Sequence, residues 1–385
     1  MLLKTIKIIV INMILIVGLS EGVLRLVWEN PYRLPSRDVY LHQPNRHQKF
    51  PSMHEIYDTA DEPIIFNTSR LGFIESTRTR NIDLNNPVDS YALAVGGSTT
   101  ECSSIQENFR WPDLLDVVTL NFGKSRMHSI HSYYNIKHLL EGGLRPKYIF
   151  VMDGVNNLSR YLRMGQELFK VEDFEYVMWN PYIDFIAQNF YLATFVRGLF
   201  QPDILQSYRQ EAERSKQNSA ISETEFNKFL KNNEEPMFKA FLGVYNELNQ
   251  VAKQYGAQII ILTQPHSYRL DYRPQRNYDF RTFPIIETGE NAAVGKKENL
   301  VRDNFIDGRR TNIEQAGRLM DVVNRVTLRV AESLDVPYID TASCFELQDV
   351  SELIYDEVHF SKKGSQYFSS CVNRVLEVGL SEARR

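Results

Sequence analysis

The chain has 385 residues with a formal charge of −4, and it is 43% hydrophobic and 24% charged. That is an ordinary globular composition with enough apolar residues for a large core. With no long basic block, it excludes a surface built to track the phosphates of a nucleic acid. The three cysteines, Cys102, Cys344 and Cys371, fall in no zinc-ligand spacing. A disulfide between Cys344 and Cys371 and buried free thiols both remain open readings.

The N-terminal stretch "MLLKTIKIIVINMILIVGLSEGVLRLVW" places Lys4 and Lys7 ahead of an apolar run from Ile8 to Leu19. A membrane span needs roughly 20 residues. The run reaches that length if Glu21 and Arg25 extend toward the interface and Trp28 sits at the headgroups. Residues 1–28 are therefore expected to form an uncleaved signal anchor, with the membrane as a partner and the body on the extracytoplasmic side. A cleaved signal peptide ending near Gly18-Leu19-Ser20, giving a secreted protein, is the alternative. Residues 29–63 read as a stalk and lead-in, followed by an ordered turn at "IIFNTSRLGFIES", Ile64 to Ser76.

Beyond residue 90, strand-like and helix-like segments alternate, which predicts an α/β domain with a parallel sheet of about five strands. The predicted strands are Tyr91–Val95, Val117–Asn121, Lys147–Met152, Gln258–Thr263 and Val336–Asp340. The predicted helices are Asn108–Asp116, His128–Glu141, Met237–Tyr255, Asn312–Leu334 and Lys362–Val378. Two long insertions, 158–236 and 267–310, follow strands on the C-terminal side of the sheet, where α/β folds bind ligands.

Three strand ends carry candidate chemistry. In "YALAVGGSTTE", Ser98 follows a strand and two glycines and precedes a helix. Its hydroxyl is exposed there, and backbone N–H groups lie nearby to face a developing negative charge. In "YDEVHFS", Asp356 and His359 are three residues apart and would share a face of one helical turn. The carboxylate would orient an imidazole that takes the serine proton. In "YIFVMDGVNNLSR", Asn156 offers an amide donor that needs no change of protonation.

Read one at a time, these motifs are also ordinary turn or surface chemistry. Together, their order and placement resemble the blocks of the SGNH (GDSL-type) hydrolase superfamily, in a membrane-anchored bacterial-type form. "NTSRLGF", "RWPDLL", "QIIILTQP" and "VPYIDTASCF" extend the resemblance over residues 64–157 and 237–380. The resemblance implies a flavodoxin-like three-layer α/β/α sandwich and an acyl ester hydrolase without cofactor or metal. It assigns Ser98 as nucleophile, His359 as general base, Asp356 as its orienting carboxylate, and Ser98, Arg126 and Asn156 as oxyanion donors. Two positions depart from the family pattern: Arg126 stands where the second block has Gly, and Asn157 where the third has Asp. The implied substrate is a small acyl ester or an acylated glycan, with transfer to another hydroxyl also open. A lipid or thioester substrate, or a non-catalytic glycan-binding protein on the same fold, are the alternatives. His128, His131 and His138 read as packing or surface residues rather than metal ligands, and His266, after Pro265 at a strand end, as a candidate pocket residue.

Overall fold

Short apolar runs bounded by glycine and polar residues bury both faces most readily as adjacent parallel strands. The computed structural model describes residues 17–20, 41–50, 64–84, 90–169, 220–268, 285–286, 300–306, 309–346 and 348–379. Tyr40–Glu175 and Asn218–Arg385 form one compact unit; Met1–Val39 and Tyr176–Gln217 are grouped separately. Of the latter group only the helical residues 17–20 are described, so the predicted anchor lies otherwise outside the described residues. Among the described residues no helix is long and apolar enough to cross a membrane.

The unit opens with an antiparallel pair, β1 (His47–Phe50) and β2 (Ile64–Asn67), so part of the predicted stalk is folded. Strand β3 (Tyr91–Gly96) leads directly into α1 (Ser98–Glu101). The predicted helix at Asn108–Asp116 is only a 3-10 turn, Trp111–Leu114. Asn108 has φ 69 and Arg110 is extended, so no continuous helix can start before Trp111. Fully buried Arg110 and Trp111 anchor the turn through carbonyls of Ile105, Ile65 and Thr99 at 3.1, 2.8 and 3.1 Å.

Then follow β4 (Val118–Asn121), α2 (Ser129–Glu141), β5 (Tyr148–Met152) and α3 (Gly154–Met164). The next helix, α4 (Glu223–Gln254), runs through Pro236, which had been expected to separate an insertion from a shorter helix. Ser222 caps it, and Phe226, Met237, Phe241, Val244 and Leu248 bury one stripe, so tertiary packing offsets the missing N–H. Strand β6 (Gln258–Leu262) precedes a small antiparallel sheet, β7 (Ile285–Ile286), β8 (Leu300–Ile306) and β9 (Arg309–Asn312). The second insertion thus carries strands that no periodicity had announced. The chain finishes with α5 (Ile313–Ser333), β10 (Tyr338–Ile339), α6 (Thr341–Glu346), α7 (Val350–Leu353) and α8 (Lys362–Val378).

The central sheet has the order β4-β3-β5-β6-β10, all parallel, which is the doubly wound arrangement of flavodoxin-like folds. Its side chains alternate between two helical layers. Ala92, Ala94, Phe150, Met152, Ile260 and Leu262 pack with Trp111, Phe345, Phe360 and Phe368 on one side. On the other side α2 lies on β3, and α4 and α5 lie on β6. Because the strand order reverses beside β3, its C-terminal end opens into a crevice between the outgoing connections. Cys344 and Cys371 form a disulfide that ties α6 to α8, and Cys102 is a buried free thiol.

Candidate active site

Ser98 stands at this crevice as the first residue of α1, directly after Gly97. The two glycines have separate steric reasons. Gly96 has φ 154 and lies against the Met152 carbonyl of the neighbouring strand, where a Cβ would come within 2.3 Å. At Gly97 a Cβ would lie 2.0 Å from Asn156 Nδ2, so only glycine lets the amide approach the turn that carries Ser98. Asn156, which follows β5, is in the first turn of α3.

His359 Nε2 is 2.6 Å from Ser98 Oγ, and His359 Nδ1 is 2.6 Å from Asp356 Oδ2. The other carboxylate oxygen, Asp356 Oδ1, accepts the N–H groups of Val358 and His359, each at 2.8 Å. The pair therefore sits in a tight non-helical turn rather than on the helical turn expected from the spacing. Local carboxylate-to-backbone bonding competes successfully with helix formation there. The turn is pinned from three sides. Tyr355 N donates to the His359 carbonyl at 3.0 Å, Ser267 N to Glu357 O at 2.9 Å, and Ser267 Oγ to Asp356 O. Ser361 caps α8 through Gly364 N at 3.0 Å and donates to Glu352 O at 2.6 Å. Tyr355 stacks on the imidazole with ring centroids 5.7 Å apart and planes at 15°.

The electrostatics follow the same geometry. The His359 side chain is 21% exposed and that of Asp356 only 4%. Burial alone would lower the His359 pKa, but the charge and hydrogen bond of Asp356 outweigh it and hold the value above 6.5. With Nδ1–H held by Asp356, the neutral ring presents Nε2 as an acceptor for the serine proton.

Three donors belong to this turn or to segments that touch it. The Ser98 N–H is an orphan of the helix start, the Asn156 amide lies over Gly97, and Arg126 belongs to the 123–126 loop after β4. None of these three donors bonds a protein acceptor among the described residues. The loop is fastened to the Ser98 turn by Lys124 N to Gly96 O at 3.0 Å and Ser125 N to Glu101 Oε2 at 3.0 Å. Arg126 itself has φ 68, a glycine-like backbone in which its side chain is exposed. Asn157, at the second departure from the family pattern, accepts Ser129 N at 2.9 Å through Oδ1 and so bonds the start of α2.

Several residues that shape the site had not been singled out. Gln264 is buried just past β6; its Oε1 accepts Val155 N–H at 2.8 Å and its Nε2 donates to Thr99 Oγ1 at 2.8 Å. It thereby ties the residue after Ser98 to the residue before Asn156. Glu101 holds Ser125 and approaches His42 Nε2 at 3.3 Å; burial raises its pKa, partly countered by the Ser125 hydrogen bonds. Burial also lowers the His42 pKa to about 3, so His42 is neutral and donates to Gly123 O at 3.0 Å. Single residues of these types carry no periodic signal, which is why the sequence did not reveal them.

Other expected sites fare differently. His266 pairs with Asp321 at 3.0 Å and lines a groove with Arg325, Arg329 and Glu346; Ser98 and His359 do not line that groove. His128 and His131 are buried with ring centroids 4.0 Å apart, and among the described residues no group of three metal-ligating side chains occurs.

No family model matches the chain, and no curated protein matches it. Among solved structures it is similar to LAE5, an alpha/beta hydrolase enzyme from the metagenome of Lake Arreo, at 13% identity. That match covers 77% of this chain and 99% of the other, with a TM-score of 0.36. A member of the lipolytic protein G-D-S-L family from Veillonella parvula matches at 14% identity, covering 76% and 98% with a TM-score of 0.36. Axe2, an acetylxylan esterase from Geobacillus stearothermophilus, matches at 12% identity, covering 75% and 94% with a TM-score of 0.35.

Proposed function

We propose that the chain is a serine esterase that cleaves an O-acyl ester by nucleophilic catalysis. The observation that carries the reading is His359, whose two ring nitrogens face Ser98 and Asp356 at 2.6 Å each. Ser98 Oγ attacks the ester carbonyl while His359 Nε2 takes its proton, and Asp356 stabilises the imidazolium. The tetrahedral oxyanion is received by the Ser98 and Arg126 N–H groups and the Asn156 amide. His359 then returns the proton to the departing alcohol. Water, activated by the same imidazole, releases the acyl group from Ser98.

The proposed substrate is an acylated glycan or small acyl ester outside the cytoplasm. Two features support that location: residues 1–28, with the apolar run Ile8–Leu19, read as a signal anchor, and the Cys344–Cys371 disulfide, a bond favoured in oxidising compartments. A fluorophosphonate probe tests the chemistry directly. Wild type is expected to carry the adduct on Ser98 and to hydrolyse p-nitrophenyl acetate; Ser98→Ala should do neither while keeping its fold. Undiminished turnover by Ser98→Ala would overturn the assignment. A folded wild type that resists the probe would instead favour a glycan-binding protein.

A further inference from the structure

We propose that the Arg126 guanidinium is a specificity-determining group that receives an anionic moiety, carboxylate or phosphate, on the ester presented to Ser98. This deepens the esterase reading and rests on it. An exposed arginine alone would say nothing, since most are simply solvated. Arg126 differs in its backbone. With φ 68 it occupies the left-handed region, where a Cβ is strained and glycine is the unstrained choice. The other non-glycine residues with positive φ among those described are Asn45, Asn108, Asp335 and Cys102. Asn and Asp tolerate that region, and Cys102 closes α1 with its N–H on the Ser98 carbonyl.

Arg126 has no such local reason. Its side chain makes no hydrogen bond, ion pair or ring contact among the described residues. Yet its two neighbours are both fixed against the reaction centre. Ser125 is held by Glu101 through N–H and hydroxyl, and the Met127 carbonyl would lie 3.4 Å from a Cβ on Gly97. Glu101, which holds the neighbouring Ser125, is buried and already engaged with Ser125 and His42, so it is not the guanidinium's partner. A strained backbone that places a planar cation with no partner among the described residues beside a crevice points to a function in that crevice. Guanidinium geometry matches carboxylate and phosphate groups through paired N–H donors.

The test compares kcat/KM for matched esters on purified protein. On the acyl side, p-nitrophenyl hemiglutarate is set against p-nitrophenyl valerate. On the alcohol side, p-acetoxybenzoate and p-acetoxyphenyl phosphate are set against methyl p-acetoxybenzoate. In at least one set, Arg126→Gly is expected to lower the anionic-to-neutral ratio by about tenfold or more, consistent with loss of a charge-assisted bond. Arg126→Lys should keep part of the preference, and Arg126→Glu should fall below Arg126→Gly. The responding set identifies the side of the ester and the anion that the guanidinium meets. Ratios are taken on one preparation, so partial misfolding cancels. Ratios unchanged in every set for both Arg126→Gly and Arg126→Glu would overturn the inference while leaving the esterase reading intact. Persistent hydrolysis by Ser98→Ala, or none by wild type, would remove that reading and the inference with it.

Discussion

Asn156 lies so close over Gly97 that a methyl group on the glycine would stand 2.0 Å from the amide nitrogen. Block after block, the turn that carries Ser98 is shaped by what must approach it. Asn156→Ala removes one of the proposed oxyanion donors and is expected to lower kcat by about a hundredfold to a thousandfold. Gly97→Ala should lower it comparably by displacing the same amide, with far-ultraviolet circular dichroism unchanged. Full kcat in purified Asn156→Ala would take the amide out of the reaction.

His359 must be neutral to accept the serine proton, and its pKa is held above 6.5 because Asp356 outweighs the effect of burial. The kcat/KM profile should therefore fall as pH drops, with its acid midpoint above 6.5. In Asp356→Asn the attraction is gone and the burial remains, so the midpoint should move to lower pH while the plateau drops by up to about ten-thousandfold. A midpoint that stays in place would mean that some other group titrates. Linkage gives the stability sign: the charged pair stabilises the fold below the unfolded-state pKa, and that contribution is lost as pH rises through the higher folded value.

Gln264 acts as a positioning residue, since it touches Thr99 and Val155 rather than the reacting atoms. Gln264→Leu keeps much of the volume but leaves the Val155 N–H without its acceptor, a loss of about 1–3 kcal/mol in stability. Kinetics separate positioning from mere stability. Folded Gln264→Leu is expected to lose kcat with little change in KM, because Ser98 and Asn156 drift relative to each other. A variant with a lower melting temperature but unaltered kcat would reduce Gln264 to a structural role.

Cys344 and Cys371 close a loop with a sequence separation of 27. Replacing both with serine should cost roughly 3–4 kcal/mol of unfolding free energy. Denaturation by urea, with and without reductant, measures this; identical midpoints would show that the bond contributes nothing. Turnover per folded molecule should be little changed, because the bond joins α6 to α8 away from the His359 turn.

The sequence by itself determined the layered architecture and pointed to the residues of the candidate site. Strands such as Tyr91–Gly96 and Gln258–Leu262 were legible because a buried parallel strand is a short unbroken apolar run. Ser98, Asn156 and the Asp356–His359 pair were legible because each sits at a strand end or beside a helix start, in block order. Tertiary structure decided what depends on partners distant in the chain. It carried α4 through Pro236, shortened the Trp111 segment to one turn, and held Asp356 and His359 in a turn instead of a helix. It also recruited Gln264, Glu101 and His42 to the site. The reason is physical: periodicity records which face of an element is buried, whereas a single buried hydrogen bond between remote segments leaves no period to read.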